Sequence, residues 1–332
     1  MLNQKLPIIL GIEGTAHTAG IAVIQGKNIL INKTATYTPF QGGIHPREAS
    51  DFLGKMFPEI LKQINSEPSF DFDKLDAIAF SQGPGLGPCL RTTATVARSL
   101  SLLLNIPLIG VNHCIAHVEL GRSLLQAADP LVLYVSGGNT QLITYLNDKY
   151  RVLGETLDIA IGNALDSLGR ELGLSHPGGP QIEQIALKGE KILSLPYVVK
   201  GMSFSFSGVV TAAKKHIGSQ LISDICYSFQ EFTFSALAEA TERAIACTKK
   251  PSLLLTGGVA ANQRLQDMIK EVAHEQGVDF YVVPRNLSGD NGAMIAFAGL
   301  NMFHEKDFIT VTQSRVKPRW RTDQVDVSWI HS

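Results

Sequence analysis

The sequence is poor in the features that mark secreted, membrane or nucleic-acid-wrapping proteins. Its four cysteines, Cys89, Cys114, Cys226 and Cys247, are scattered and form no C-x-x-C pair, which suits free thiols in a reducing compartment. No uninterrupted apolar stretch reaches the roughly 20 residues that span a bilayer. The opening MLNQKLPIILGIEGT enters a short apolar strand without a small-residue cleavage pattern, so no signal peptide is expected. The expectation is a cytoplasmic protein with no membrane association. Net charge is also lacking: 29 Lys and Arg face 30 Asp and Glu, leaving −1. That excludes a uniformly basic surface but leaves room for a local patch. The richest candidate is Arg315-Val316-Lys317-Pro318-Arg319-Trp320-Arg321, whereas Lys214-Lys215 and Lys249-Lys250 read as solvated surface.

Several nucleotide and protease signatures are missing as well. Gly83-Pro84-Gly85-Leu86-Gly87 matches neither a Walker loop nor a dinucleotide-binding fingerprint. No H-E-x-x-H occurs, and no H-R-D or D-F-G kinase motif.

What is present is an alternating α/β pattern. With 332 residues, 45% hydrophobic and 18% charged, the chain has enough apolar mass for two core-bearing halves. Ile8–Leu10 enters a glycine turn and Gly20–Ile24 leaves it; Leu131–Val135 and Gln141–Tyr145 repeat that arrangement around Ser136-Gly137-Gly138-Asn139-Thr140. Both read as hairpins, one opening each half, which suggests a duplicated architecture. Ala77–Phe80 leads into a helix over about 90–104, and Ser252–Leu255 leads through Thr256-Gly257-Gly258 to a helix starting near Asn262. Such alternation argues for α/β layers over a largely buried sheet. Asp129-Pro130 is the expected break between halves.

The chemistry-bearing motif is Asn112-His113-Cys114-Ile115-Ala116-His117. Asn112 is a good helix N-cap after an apolar strand, and the helix is expected to run to about Ala128. Residues i and i+4 share a helical face, so both imidazoles can converge on one ion. A pair of buried structural histidines is the plain alternative. The position where a zinc protease carries its base is Cys114, which weakens a hydrolytic reading. A third ligand is needed, and Asp290 in Ser288-Gly289-Asp290-Asn291-Gly292 is a candidate, either as ligand, as helix cap or as both.

Together these stretches resemble one family, the tRNA threonylcarbamoyladenosine transferases (TsaD in bacteria, OSGEP in eukaryotes). The resemblance runs through GIEGTAHT, GGIHPREA, SQGPGLGPCLR, GVNHCIAH, YVSGGNTQ, GETLDIAIGNALD, PGGPQIE, SFSG, TGGVAAN, DNGAMIA and RTDQVDVSW, nearly the whole chain. EGTAHT, HCIAH and YVSGGNT resemble the archaeal and eukaryotic branch. After HPREA many members carry paired histidines, where this chain reads Ser50-Asp51-Phe52-Leu53.

The resemblance implies an actin-like ATPase fold of two duplicated α/β halves with a substrate cleft between them. Residues 1–129, completed by 291–332, would form the half carrying the histidine helix, and 130–290 the half carrying the nucleotide loops. It implies that His113, His117 and Asp290 hold a divalent metal, with Tyr134 as a further ligand. Iron comes first, with zinc, manganese or magnesium as alternatives. Tyr134, Val135, Ser136, Gly137 and Gly138 would lie along ATP or the adenylate of threonylcarbamoyl-AMP; Asp166, Gly179 and Glu183 would hold the nucleoside, with Asn262 near the adenine. Each also has an ordinary reading as core, turn, cap or surface residue.

The implied reaction moves the threonylcarbamoyl group to N6 of adenosine 37, 3′ of the anticodon, in tRNAs reading codons that begin with adenine. The partners implied are tRNA, a small atypical protein kinase and other subunits of the KEOPS assembly. The residues do not name a general base for N6; Glu13 and His17 are candidates by position in the first hairpin. Three other functions stand beside that reaction: a non-catalytic ATP-binding regulator of a partner kinase, a metal-dependent glycoprotein endopeptidase, which the missing base glutamate disfavours, and a DNA-binding or apurinic-site activity.

Overall fold

A computed structural model of the chain describes residues 6–39, 43–68, 70–127 and 129–330. Gly42, which opens the GGIHPREA motif, and Ala128 lie outside the described residues. The fold divides into two units, Met1–Leu124 with Asp290–Ser332, and Leu125–Gly289.

In the first unit five strands form one sheet: β1 (Ile8–Glu13), β2 (Thr18–Gln25), β3 (Asn28–Thr36), β4 (Ala77–Gly83) and β5 (Leu108–Asn112), in the order β3-β2-β1-β4-β5. β1, β2 and β3 form an antiparallel meander, while β4 and β5 run parallel to β1. The parallel strands are buried throughout, as covering on both faces requires. Alternation along β1 divides the faces. Leu10 and Ile12 join a core with Leu53 and Phe57 of α1 (Pro46–Asn65) and Ala94 and Ala97 of α2 (Gly87–Leu104). Gly11 turns to α10 (Gly292–His304) on the other side. α2 begins earlier than the sequence suggests because Pro88 in its first turn is pre-set for a helical start. α3 (His113–Leu125) follows β5 directly and stops short of the expected end, with Gln126 in the left-handed region at φ 54°.

The second unit repeats the sheet order. β6 (Leu131–Val135), β7 (Thr140–Leu146), β8 (Lys149–Glu155), β11 (Ser252–Thr256) and β12 (Asp279–Val282) are arranged β12-β11-β6-β7-β8, again an antiparallel meander followed by two parallel strands. A short ladder pairs β9 (Val199–Lys200) with β10 (Ser203–Phe204). The helices are α4 (Ile161–Glu171), α5 (Gly178–Ala186), α6 (Ser207–Lys215), α7 (Ile222–Thr248), α8 (Gln263–Glu275) and the single turn α9 (Arg285–Ser288). α7 supplies much of this unit's core through Phe229, Phe234 and Leu237, packed with Leu133, Val135 and Phe204. The matching order of the two sheets is the duplication anticipated from the hairpins. No helix among the described residues is long and apolar enough to cross a membrane.

Candidate metal centre

Two helix starts bring the candidate ligands together within the first unit. β5 delivers α3, and Asn112 caps it: its Oδ1 accepts from the amides of Cys114 and Ile115 at 3.0 and 3.2 Å. The sequence expectation of an Asn112 cap is met. α10 arrives from the other side through glycines. A Cβ on Gly11 would stand 2.3 Å from the Gly292 carbonyl oxygen, and one on Gly20 2.9 Å from the Gly292 nitrogen. Only bare backbone allows the N-terminus of α10 to lie so close on β1 and β2. That approach sets Asp290, two residues before Gly292, beside α3.

Asp290 Oδ1 is 3.2 Å from His117 Nε2 and 3.6 Å from His113 Nε2. The candidate ligand atoms of all three residues lie within 4.8 Å of one another. Two atoms each about 2.1 Å from one ion stand roughly 3.0–3.4 Å apart at octahedral or tetrahedral angles, so the two carboxylate–imidazole separations are close to what a shared ion needs, and the widest separation in the set would have to close on binding. The donors, two imidazole nitrogens and a carboxylate oxygen, suit first-row transition ions. The imidazoles are buried, whereas the Asp290 side chain keeps 20% of its surface exposed, which leaves the centre open on one side.

A capping role for Asp290 was one of the alternatives open from the sequence. The structure gives that task to Asn291, whose Oδ1 accepts from Met294 N at 3.1 Å. Asp290 is thereby released from capping α10. Glu13, one of the two base candidates, is engaged inside the first unit. Its Oε1 accepts from the Thr15 amide (2.8 Å) and hydroxyl (2.6 Å), its Oε2 lies 3.1 Å from His113 Nδ1, and the residue is fully buried. A carboxylate on the far nitrogen would turn Nε2 of His113 toward an ion held there and would raise its basicity. Sequence reasoning missed this pair because 100 residues separate its members and nothing local signals the contact.

Electrostatics follow from this crowding. Burial opposes charge on His113, but Glu13 and Asp290 outweigh it and lift its pKa to about 9. Burial lowers that of His117, and the neighbouring His113 charge adds to the effect against Asp290. The two histidines, despite burial, hold the Asp290 carboxyl below its usual range. A proton on the histidine pair is therefore favoured on His113 over His117. Another missed residue is Glu119 of α3, buried and held by Arg122 Nη1 at 3.0 and 2.9 Å and by Asn301 Nδ2 of α10 at 3.0 Å. It fastens the two ligand-bearing helices together. The i,i+3 spacing of Glu119 and Arg122 was its only sequence signal.

The second unit gathers the other residues named from the sequence. Tyr134 is fully buried near the end of β6, where it pairs with Gln141 and Thr256. In the following turn Ser136 Oγ accepts from Asn139 N at 3.0 Å. A Cβ on Gly137 or Gly138 would meet nothing within 4 Å, whereas one on Gly162, at the start of α4, would press on Gly137. The turn therefore leaves open ground above two glycines. Gly257, at φ 97°, crosses against the Val135 carbonyl, where a Cβ would stand 2.2 Å away. The strand ends of β6 and β11 thus meet with bare backbone, the side of a parallel sheet where ligands bind.

Asp166, Gly179, Glu183 and Asn262 are linked through α5. Asp166 Oδ1 accepts from Gly178 N at 2.7 Å, next to Gly179. Glu183 Oε1 accepts from Gln263 N at 2.6 Å. Asn262 caps α8 through Leu265 N at 3.1 Å and donates to Gln230 Oε1 at 2.8 Å.

Comparison with known proteins decides the family. Residues 27–297 match the family model described as TsaD, tRNA N6-adenosine threonylcarbamoyltransferase. The chain belongs to this family. It is 51% identical over 325 residues to a tRNA N6-adenosine threonylcarbamoyltransferase of Methanococcoides burtonii, covering 97% of each chain. A protein of the same description from Thermococcus kodakarensis is 51% identical over 324 residues, covering 97% of this chain and 99% of its own. A probable bifunctional tRNA threonylcarbamoyladenosine biosynthesis protein of Methanocaldococcus jannaschii is 53% identical over 325 residues. This chain spans 60% of that bifunctional protein's length. Among solved structures, HypF of T. kodakarensis aligns with TM-score 0.63 at 16% identity, covering 94% of this chain and 49% of HypF. The activator of 2-hydroxyisocaproyl-CoA dehydratase from Clostridium difficile aligns with TM-score 0.53 at 12% identity, covering 90% of this chain and 97% of its own. With the repeated sheet order, these likenesses give the TsaD family member an actin-like ATPase fold.

Proposed function

We propose that the chain transfers the threonylcarbamoyl group of threonylcarbamoyl-AMP to N6 of adenosine 37 in tRNAs that read codons beginning with adenine. The observation that carries the reading is the His113–His117–Asp290 cluster, built from family motifs in a chain matched to the transferases over most of its length. The acyl acceptor is a weak nucleophile, so the donor carbonyl must be activated and AMP must leave well. His113, His117 and Asp290 would hold a divalent ion, iron in our reading, and two neutral imidazoles with one carboxylate would leave it net positive charge to polarise donor oxygens. Glu13 keeps His113 oriented for that task. In the second unit, Tyr134 is assigned as a further ligand. Val135, Ser136, Gly137 and Gly138 give the adenylate's phosphate bare backbone to lie along, with amides to oppose developing negative charge. Asp166, Gly179 and Glu183 are assigned to the nucleoside, and Asn262 to the adenine side. A tRNA substrate places the chain in the cytoplasm, working with a small kinase and other assembly subunits.

The test is incubation of the chain, reconstituted with those partners, with threonylcarbamoyl-AMP and an unmodified tRNA transcript, followed by nucleoside mass spectrometry. Formation of N6-threonylcarbamoyladenosine is expected. Its absence, with tRNA and donor both bound, would favour the kinase-regulator reading.

A further inference from the structure

The segment after α10 is pinned along the ends of β4 and β5. Gln82 Nε2 donates to the carbonyls of Gln313 and Arg315 at 3.1 and 2.8 Å. The Gln82 carbonyl accepts from Lys317 N at 2.8 Å, and Gly85 N donates to the Pro318 carbonyl at 3.2 Å. At Gly83 the approach is so close that a Cβ would stand 2.0 Å from the Lys317 carbonyl oxygen. Asn112 Nδ2 donates to the Trp320 carbonyl at 3.3 Å, while Oδ1 of the same side chain caps the histidine helix α3. One side chain therefore joins this segment to the metal centre.

With its backbone held, the segment turns a group of side chains outward. Lys317 and Arg319 are exposed and Trp320 is half-buried. With Pro318 and Gln324 they line a shallow, open depression of about 460 Å³, a surface on which one nucleotide unit could lie. Lys317 Nζ lies 3.9 Å from the centre of the Trp320 ring. Arg315, Lys317, Arg319 and Arg321 fall in a run, 315–321, that holds no acid; Asp323, which pairs with Arg321 at 3.1 Å, and Asp326 follow it. A chain of net charge −1 concentrates cations here around an aromatic ring. That combination fits a nucleic-acid strand, because bases offer flat faces to an indole and phosphates offer charge to the cations. An acidic peptide would use the cations but present nothing to stack on Trp320.

We propose that this depression is a platform for the tRNA strand: a base stacks on Trp320 and Pro318 once Lys317 leaves the ring face it covers, and Lys317 and Arg319 meet the flanking phosphates. The proposal rests on the transfer reading for the identity of the RNA, and on the platform's own chemistry for the rest.

The test measures binding of an unmodified tRNA transcript to the whole chain across a salt series, with no acyl donor present. Lys317→Ala/Arg319→Ala should weaken binding at least about tenfold and flatten the logarithmic salt slope by about 1–2, one unit or less per lost phosphate contact. Trp320→Leu should weaken binding with the slope unchanged, and Trp320→Phe should retain it. Absence of tRNA binding by the wild-type chain, unaltered affinity and slope in the double variant, or equal displacement of tRNA by poly-glutamate would each overturn the platform. A chain that binds tRNA here but forms no modified nucleoside would sink the transfer reading alone. An active chain indifferent to the double substitution would sink the platform alone.

Discussion

Glu13 Oε2 lies 3.1 Å from His113 Nδ1, on the side of the imidazole opposite Asp290. Because Thr15 holds the other carboxylate oxygen through both amide and hydroxyl, the glutamate is fixed and in turn fixes the ring. Glu13→Gln should therefore weaken metal affinity by about 10–100-fold while leaving the fold intact. Competition titration with a chromophoric chelator, alongside circular dichroism, reads both quantities. Unchanged affinity would show that the contact does nothing for the centre.

The same contact predicts how metal uptake depends on pH. In the metal-free chain His113 carries a proton up to about pH 9, since its raised pKa means the charged form persists above neutrality. An ion must displace that proton, so affinity should climb as pH rises toward about 9 and level off beyond it. His117, with a lowered pKa, adds no such competition near neutrality. Zinc added at pH 7.5 should release about one proton per ion, measurable with an indicator dye. No release would mean that His113 is already neutral.

Little of this arrangement could be read without the fold. The Asn112 cap, the i,i+4 histidines and the paired hairpins were legible because each rests on residues near in sequence. The division of labour between Asp290 and Asn291 was not, since either side chain can cap a helix and only the docking of α10 on Gly11 and Gly20 decides which one faces α3. Glu13 and Glu119 were illegible for the same reason: each acts on a partner brought close by sheet order or helix packing. The link between Trp320 and Asn112 spans 208 residues, beyond any local pattern.

Glu119 should carry stability. Its side chain is 1% exposed and bonds both Arg122 and Asn301. Glu119→Ala would strand a guanidinium that is largely buried, at a cost of about 3 kcal/mol. Urea denaturation of wild type and variant measures this, and a difference near zero would show that α3 and α10 do not depend on the pair.

Thiol reactivity should separate the cysteines. Burial pushes Cys89 up to about 11 and Cys226 up to about 12, and Cys114 is buried as well, whereas Cys247 is exposed. A native chain should give one fast-reacting thiol with an aromatic disulfide reagent and four after unfolding. Fast modification in a Cys247→Ser chain would contradict the burial of the other three.

The proposed role of His113 and His117 is to organise the acyl donor through a metal. It is tested by the rate at which His113→Ala/His117→Ala, folded and supplied with metal and partners, forms N6-threonylcarbamoyladenosine from threonylcarbamoyl-AMP and tRNA. A loss of at least about a hundredfold is expected, as for removal of an electrostatic stabiliser of the transition state. Transfer at the wild-type rate would contradict it.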